Sequence, residues 1–155
     1  MAKLVGINHV ALEVDDVDEA LALYGRLFEF ELRGTAEGGR MAFIDMGDQF
    51  LALQAGRTQP LDEGRHLGLV VDDREAVRAA VERERLRSAP SLPGGLAFLD
   101  PWGNHVEVVD YRDVEFERAP GVKRALGIEA LEKRDGARRE IADKGVAEWP
   151  RAGSP

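Results

Sequence analysis

The stretch His9–Asp16, HVALEVDD, returns fifty-seven residues later as His66–Asp73, HLGLVVDD, each copy led by one of the chain's 3 histidines. Superposing the copies places Leu12 on Leu69, Val14 on Val71, and the pair Asp15–Asp16 on Asp72–Asp73. A second match needs no gap: FIDMGDQFLAL from Phe43 lies over FLDPWGNHVEV from Phe98, which puts Ala52 on Glu107. A period near half the chain length implies two like modules packed around a pseudo-two-fold axis.

Each copy reads the same way. Val10, Leu12 and Val14 share one face of an extended segment that begins at Leu4, while His9, Ala11 and Glu13 share the other. Asp16 followed by Glu19 is a capping-box pattern, and Ala20, Leu23, Tyr24 and Leu27 follow at helical spacing. Three short runs divided by glycine-containing turns complete a β-α-β-β-β order. GRTQPLDEG, residues 56–64, reads as a linker, after which the order repeats. The second helix opens at Asp72 or Asp73. Further strands are expected around Leu86–Leu92, Gly95–Leu99 and Asn104–Tyr111, the first of them weakened by Pro90 and Pro93. The expected fold is α+β: two βαβββ modules, residues 4–56 and 64–112, paired into an incomplete barrel and forming one domain over 1–112. Residues 113–155 form a charged extension with short helices expected near Val122–Leu126 and Ala137–Lys144, docked on the modules or on a partner. No packing is expected of the last residues, with Pro150, Gly153 and Pro155.

Composition narrows the function. In 155 residues with 44% hydrophobic content there is enough apolar material for a core. A net charge of −8 and a pI near 5.0 argue against nucleic acid or an anionic membrane as partner and favour a small-molecule substrate. With no cysteine, thiolate nucleophiles and Cys-based zinc sites are excluded, and a metal would be held by His, Asp, Glu, Asn or Gln. The amino terminus shows neither a signal-peptide pattern nor a membrane span, so a cytoplasmic protein is expected.

The apolar stripes face their helices, which leaves His9 and His66 on the opposite faces, beside the small residues Ala11 and Gly68. Glu107 shares the corresponding face of the last strand with His105 and Val109. Two neutral imidazoles and a carboxylate from separate strands can bind a divalent ion and leave positions open, an arrangement suited to catalysis. His105 is the rival ligand, about 7 Å along the strand from Glu107. Its repeat counterpart Phe50 has no ligating atom. Glu13, about 13 Å beyond His9 along the strand, is a rim residue. The Asp15–Asp16 and Asp72–Asp73 pairs serve as helix caps, and Asp100–Pro101–Trp102–Gly103 as a turn.

INHVALEVDDVDEALALYGRLFEFEL, RHLGLVVDD and AFLDPWGNHVEVVD together resemble the vicinal oxygen chelate superfamily, which includes glyoxalases, bleomycin-resistance proteins and extradiol dioxygenases. The resemblance covers about residues 4 to 112. It implies paired βαβββ modules around one divalent metal ion (Fe, Mn, Ni or Zn), ligands at His9, His66 and Glu107, a small-molecule substrate, and a homodimer. Glyoxalase and epimerase relatives carry a fourth ligand where this chain has Ala52, so an open three-ligand site is expected. Fosfomycin enzymes commonly place Thr where Ala11 stands, and Glu29 replaces a usual helix-ending Gly. Phe50, Gln54 and Tyr111 are candidate substrate-binding residues. The expected function is a metal-dependent lyase, isomerase or dioxygenase, the alternatives being a non-catalytic binding protein of the bleomycin-resistance type and an accessory subunit whose contacts lie on the charged tail.

Overall fold

A computed structural model describes residues 2–3 and 6–145. Strand β1 (His9–Val14) leads into helix α1 (Val17–Leu27), then β2 (Leu32–Ala36), β3 (Met41–Asp45) and β4 (Phe50–Ala55). The order returns as β5 (Leu67–Val71), α2 (Arg74–Arg83), β6 (Arg87–Ser88), β7 (Leu96–Leu99) and β8 (His105–Asp110). Each module forms an open four-stranded sheet, ordered β1-β4-β3-β2 and β5-β8-β7-β6. In each, the opening strand runs parallel to the last, and the remaining pairs are antiparallel. The fold is thus α+β, two βαβββ modules followed by a helical extension. No helix of the described residues is long and apolar enough to cross a membrane.

The aspartates account for the strand-to-helix turns. Asp16 Oδ1 accepts from the Glu19 amide at 2.9 Å, and Asp73 Oδ1 accepts from Glu75 and Ala76, satisfying amides that a helix start leaves free. Val17, Ala20, Leu23, Tyr24 and Leu27 line the buried face of α1, and Val77, Ala80 and Val81 that of α2. The chain leaves α1 in extended geometry at Phe28, so Glu29 needs no left-handed, glycine-like conformation. β6 is cut to two residues because Pro90 and Pro93 cannot donate to a ladder. The expected start of β1 at Leu4, and the expectation for Pro150 to Pro155, lie outside the described residues.

Leu12, Val14, Leu51 and Leu53 from module one join Leu69, Phe98, Val106 and Val108 from module two in a single buried cluster. The modules meet through α1 and α2. Packing helix to helix buries both apolar sheet faces and leaves the histidine-bearing faces outward.

The extension docks on both modules. Its helices, α3 (Pro120–Ala125) and α4 (Asp135–Asp143), lie within two residues of where the sequence pattern puts them. Lys133 is 7% exposed, donates to the Tyr111 carbonyl at 2.6 Å and stands 3.4 Å from the centre of the Tyr111 ring. Arg134 pairs with Asp110 and Asp113. At the other module, Val122 and Leu126 of the α3 region press on Gly47, whose φ of +85° suits glycine.

Candidate functional site

On module one, parallel register sets His9 beside Phe50, Ala11 beside Ala52 and Glu13 beside Gln54. The His9 ring stacks on Phe50 with centroids 4.7 Å apart and planes 10° apart. Phe43 meets the edge of Phe50 at 5.6 Å, and the Arg33 guanidinium lies 5.4 Å from its centroid. Asn8 Oδ1 sits 2.7 Å from His9 Nδ1. An amide oxygen only accepts, so in this contact Nδ1 is the donor, and in a neutral ring the lone pair then falls on Nε2. Glu13 is occupied elsewhere: its Oε2 accepts from the Thr58 amide at 3.1 Å, tying the linker to the strand. Gln54 is exposed on this face.

On module two, the pairings Leu67 with Val106 and Gly68 with Glu107 bring His66 beside His105. Their ring centroids are 5.4 Å apart. His66 Nε2 and Glu107 Oε2 approach to 3.6 Å. Donors that each sit about 2.0–2.2 Å from a shared ion can be this far apart. A Cβ on Gly68 would meet nothing within 4 Å, so the space over this pair is open. His105 is 6% exposed and its Nε2 has no partner among the described residues. Its backbone amide points to Asp62 of the linker at 3.4 Å.

The structure therefore brings His66 and Glu107 together and places His9 on the other sheet. Among the described residues, no three His, Asp or Glu side chains come close enough to hold one ion. The donor set, two nitrogens and one oxygen, suits a divalent metal; a single chain gathers two of the three. Of the candidate substrate contacts, Phe50 adjoins His9, whereas Tyr111 is 3% exposed. Its hydroxyl hydrogen-bonds to Glu117 at 2.8 Å and its ring lies beneath Lys133, so Tyr111 anchors the extension rather than lining an open face.

The turn at Asp100 does more than the sequence reading assigned to it. Asp100 is 4% exposed; Oδ1 accepts from the Trp102 and Asn104 amides, and Oδ2 from the Asn104 side chain at 2.7 Å and the Tyr24 hydroxyl at 3.2 Å. Tyr24 belongs to module one, so this carboxylate latches the modules together. Burial pushes the Asp100 carboxyl upward against the lowering effect of the Asn104 and Tyr24 hydrogen bonds. Burial, with the neighbouring Asp100, pushes the Tyr24 hydroxyl well above its usual range. The signal was the apolar helix face itself: a tyrosine on it needs a polar partner once buried.

The profile of the Glyoxalase/Bleomycin resistance protein/Dioxygenase superfamily matches residues 6–108. The chain belongs to this superfamily. Solved members share the fold at low identity. The fosfomycin resistance protein FosX from Mesorhizobium loti superposes with a TM-score of 0.58 at 18% identity, covering 68% of this chain and 91% of that one. Lactoylglutathione lyase from Agrobacterium tumefaciens gives 0.54 at 24% identity, covering 71% and 96%. FosX from Listeria monocytogenes, complexed with Mn(II) and sulfate, gives 0.58 at 14% identity over 70% and 91%. No curated protein sequence matches the chain. The superfamily match ends before the extension, which begins at residue 113.

Proposed function

We propose that this glyoxalase-superfamily chain is a metal-dependent enzyme whose site combines His9 of one copy with His66 and Glu107 of a second copy in a homodimer. The observation that carries the reading is the His66–Glu107 pair at 3.6 Å, facing outward over the open space at Gly68. The third candidate ligand, His9, faces outward from the other module with its Nδ1, not its Nε2, engaged by Asn8. Two outward half-sites on one chain can complete each other only when a second copy is added, and an isologous pairing generates two such sites. The Mn(II) in the structure of the Listeria monocytogenes FosX supports a divalent ion.

A bound divalent ion would act as a Lewis acid on one or two oxygens of a small substrate. The chain's own residues define the rest. Phe50, stacked on His9, offers an apolar wall, and Gln54, farther along β4, an amide within the same face. Ala52 supplies no fourth ligand, so more than one coordination position stays free for substrate. Lyase or isomerase chemistry is favoured by the likeness to lactoylglutathione lyase, with dioxygenase chemistry the outcome if the metal is iron. The location is cytoplasmic.

Purification without chelator, elemental analysis and cobalt titration test the reading. Glu107→Gln, His66→Ala and His9→Ala should each lower cobalt affinity at least about a hundredfold, because each removes a ligand rather than its support. The intact protein should sediment as a dimer. Binding of a tenth of an ion or less per chain, unchanged in these variants, overturns the reading in favour of a binding protein without chemistry.

A further inference from the structure

Asn8 and His9 stand where β1 begins, and Ile7 just before them is 68% exposed. One of the bonds there comes from Gln49, whose Nε2 donates to the Ile7 carbonyl at 2.9 Å. A second, from the Phe50 amide to the Asn8 carbonyl, is long at 3.4 Å. An amide side chain can turn over, and what fixes Gln49 is Arg118, donating from Nη2 to Gln49 Oε1 at 3.0 Å. With Oε1 engaged, Nε2 is left aimed at Ile7. Nη1 of Arg118 pairs with Asp48, and packing of Val122 and Leu126 on Gly47 seats the following helix on the same turn. Arg118 lies in the extension, outside the residues that match the superfamily.

The repeat supplies an independent precedent within the molecule. Gln49 and Asn104 are equivalent positions, each just before its module's last strand. Asn104 Oδ1 accepts from Arg57 Nη1 at 2.6 Å, and Asn104 Nδ2 donates to the Glu13 carbonyl of β1 at 3.0 Å. Arg57 belongs to the segment that leaves module one; Arg118 belongs to the segment that leaves module two. Each module is thus followed by an arginine that locks the turn amide of the other, and each locked amide grips backbone at one end of β1.

We infer that Arg118 is a positioning residue for His9: through Gln49 it holds the Ile7–Asn8 backbone so that Asn8 Oδ1 stays on His9 Nδ1, the arrangement that in a neutral ring directs the lone pair to Nε2. The inference rests on the proposed role of His9 as a ligand only for its consequence, not for its geometry. Partners that orient a ligating histidine typically change metal affinity tenfold to a hundredfold when removed.

The test uses the full-length protein. Nitrogen-15 NMR of the metal-free chain reports the His9 tautomer, and cobalt titration reports affinity. The intact protein should show predominantly Nδ1-protonated His9. Arg118→Ala should mix in the Nε2-protonated form and weaken cobalt binding about tenfold, with Arg118→Lys intermediate. Gln49→Leu, which cuts the same link from module one and serves if Arg118→Ala does not fold, should match Arg118→Ala. Arg134→Ala loosens the extension at Asp110 and Asp113 without touching Gln49, and should leave the His9 spectrum unchanged. A wild-type His9 tautomer in Arg118→Ala and Gln49→Leu, or an equal change in Arg134→Ala, overturns the inference. If His9→Ala leaves cobalt affinity intact while Arg118→Ala still shifts the tautomer, the positioning stands and the ligand assignment fails.

Discussion

At equivalent points of their last strands, module one carries Ala52 and module two Glu107, while one position on from the locked amides stand Phe50 and His105. The opening histidines are matched, yet their settings are not. His9 lies flat on an aromatic ring; His66 faces a carboxylate at 3.6 Å and a buried imidazole. The duplicated scaffold therefore presents the same histidine twice and diverges in what surrounds it, with an aromatic ring in one half and a carboxylate in the other. Ala52 is 1% exposed, between Ala11 of β1 and Phe43 of β3, so the blank is a filled apolar position rather than an empty socket.

Restoring the symmetry tests that distinction most severely. Ala52→Glu would bury a carboxylate among apolar neighbours and should cost about 3 kcal/mol in the metal-free protein, read by urea denaturation. Saturating cobalt should return most of that loss, since a ligand at a hundred times its Kd adds about 2.7 kcal/mol. A metal-free variant as stable as the parent would show that the position reaches solvent and that the modules differ less than their burial indicates.

The fold was readable because the repeat, the period-2 stripes and the two capping aspartates all pointed to the same architecture. The ligand candidates were readable because a strand alternates its faces, so the residues opposite the apolar stripe could be named. Which of them meet was not, because alternation fixes a face and says nothing of how two modules pack. Helix-to-helix packing of α1 on α2 set His9 apart from His66 and Glu107. Tyr111 was misplaced for a related reason: an aromatic at a strand end looks like a pocket residue until the extension is seen to cover it. Arg57, Arg118 and Asn104 act through bonds between segments far apart in sequence, which no local pattern encodes.

The extension provides a second contrast between the modules, since it reaches module one by an exposed turn and module two by a buried lysine. Burial outweighs the attraction of nearby Glu117 and holds the Lys133 ammonium down from 10.5 to about 8. Between those values the unfolded chain binds the extra proton, so this group's contribution to stability rises with pH across that interval and is flat below it. Denaturation at pH 8, 9 and 10 should show a rise of about 1–2 kcal/mol in the parent relative to Lys133→Met. Near pH 10 the unfolded Tyr111 and Tyr24 begin to ionise while the folded groups, raised by burial, do not, which lowers stability there. The lysine's share is therefore read from the difference between the parent and Lys133→Met. A flat difference would mean that the ammonium keeps its water and that the extension is docked on module two as loosely as on module one.

The smallest effect separates the two aspartate turns. Asp45 Oδ1 accepts from the Gly47 amide at 2.7 Å and remains partly exposed, whereas Asp100 is enclosed and takes a bond from the opposite module. Tyr24→Phe removes that bond without changing the shape of the helix face. Asp100 Oδ2 still accepts from Asn104 at 2.7 Å, so the carboxylate is left short of one donor rather than orphaned. The cost should be about 1 kcal/mol, the net worth of one hydrogen bond in a folded protein. The longer 3.2 Å separation of the tyrosine bond points the same way. A loss above about 3 kcal/mol would instead make Tyr24 the principal partner of Asp100, and would mean that the Asn104 amide is held by Arg57 and Glu13 in a way that contributes little to the carboxylate.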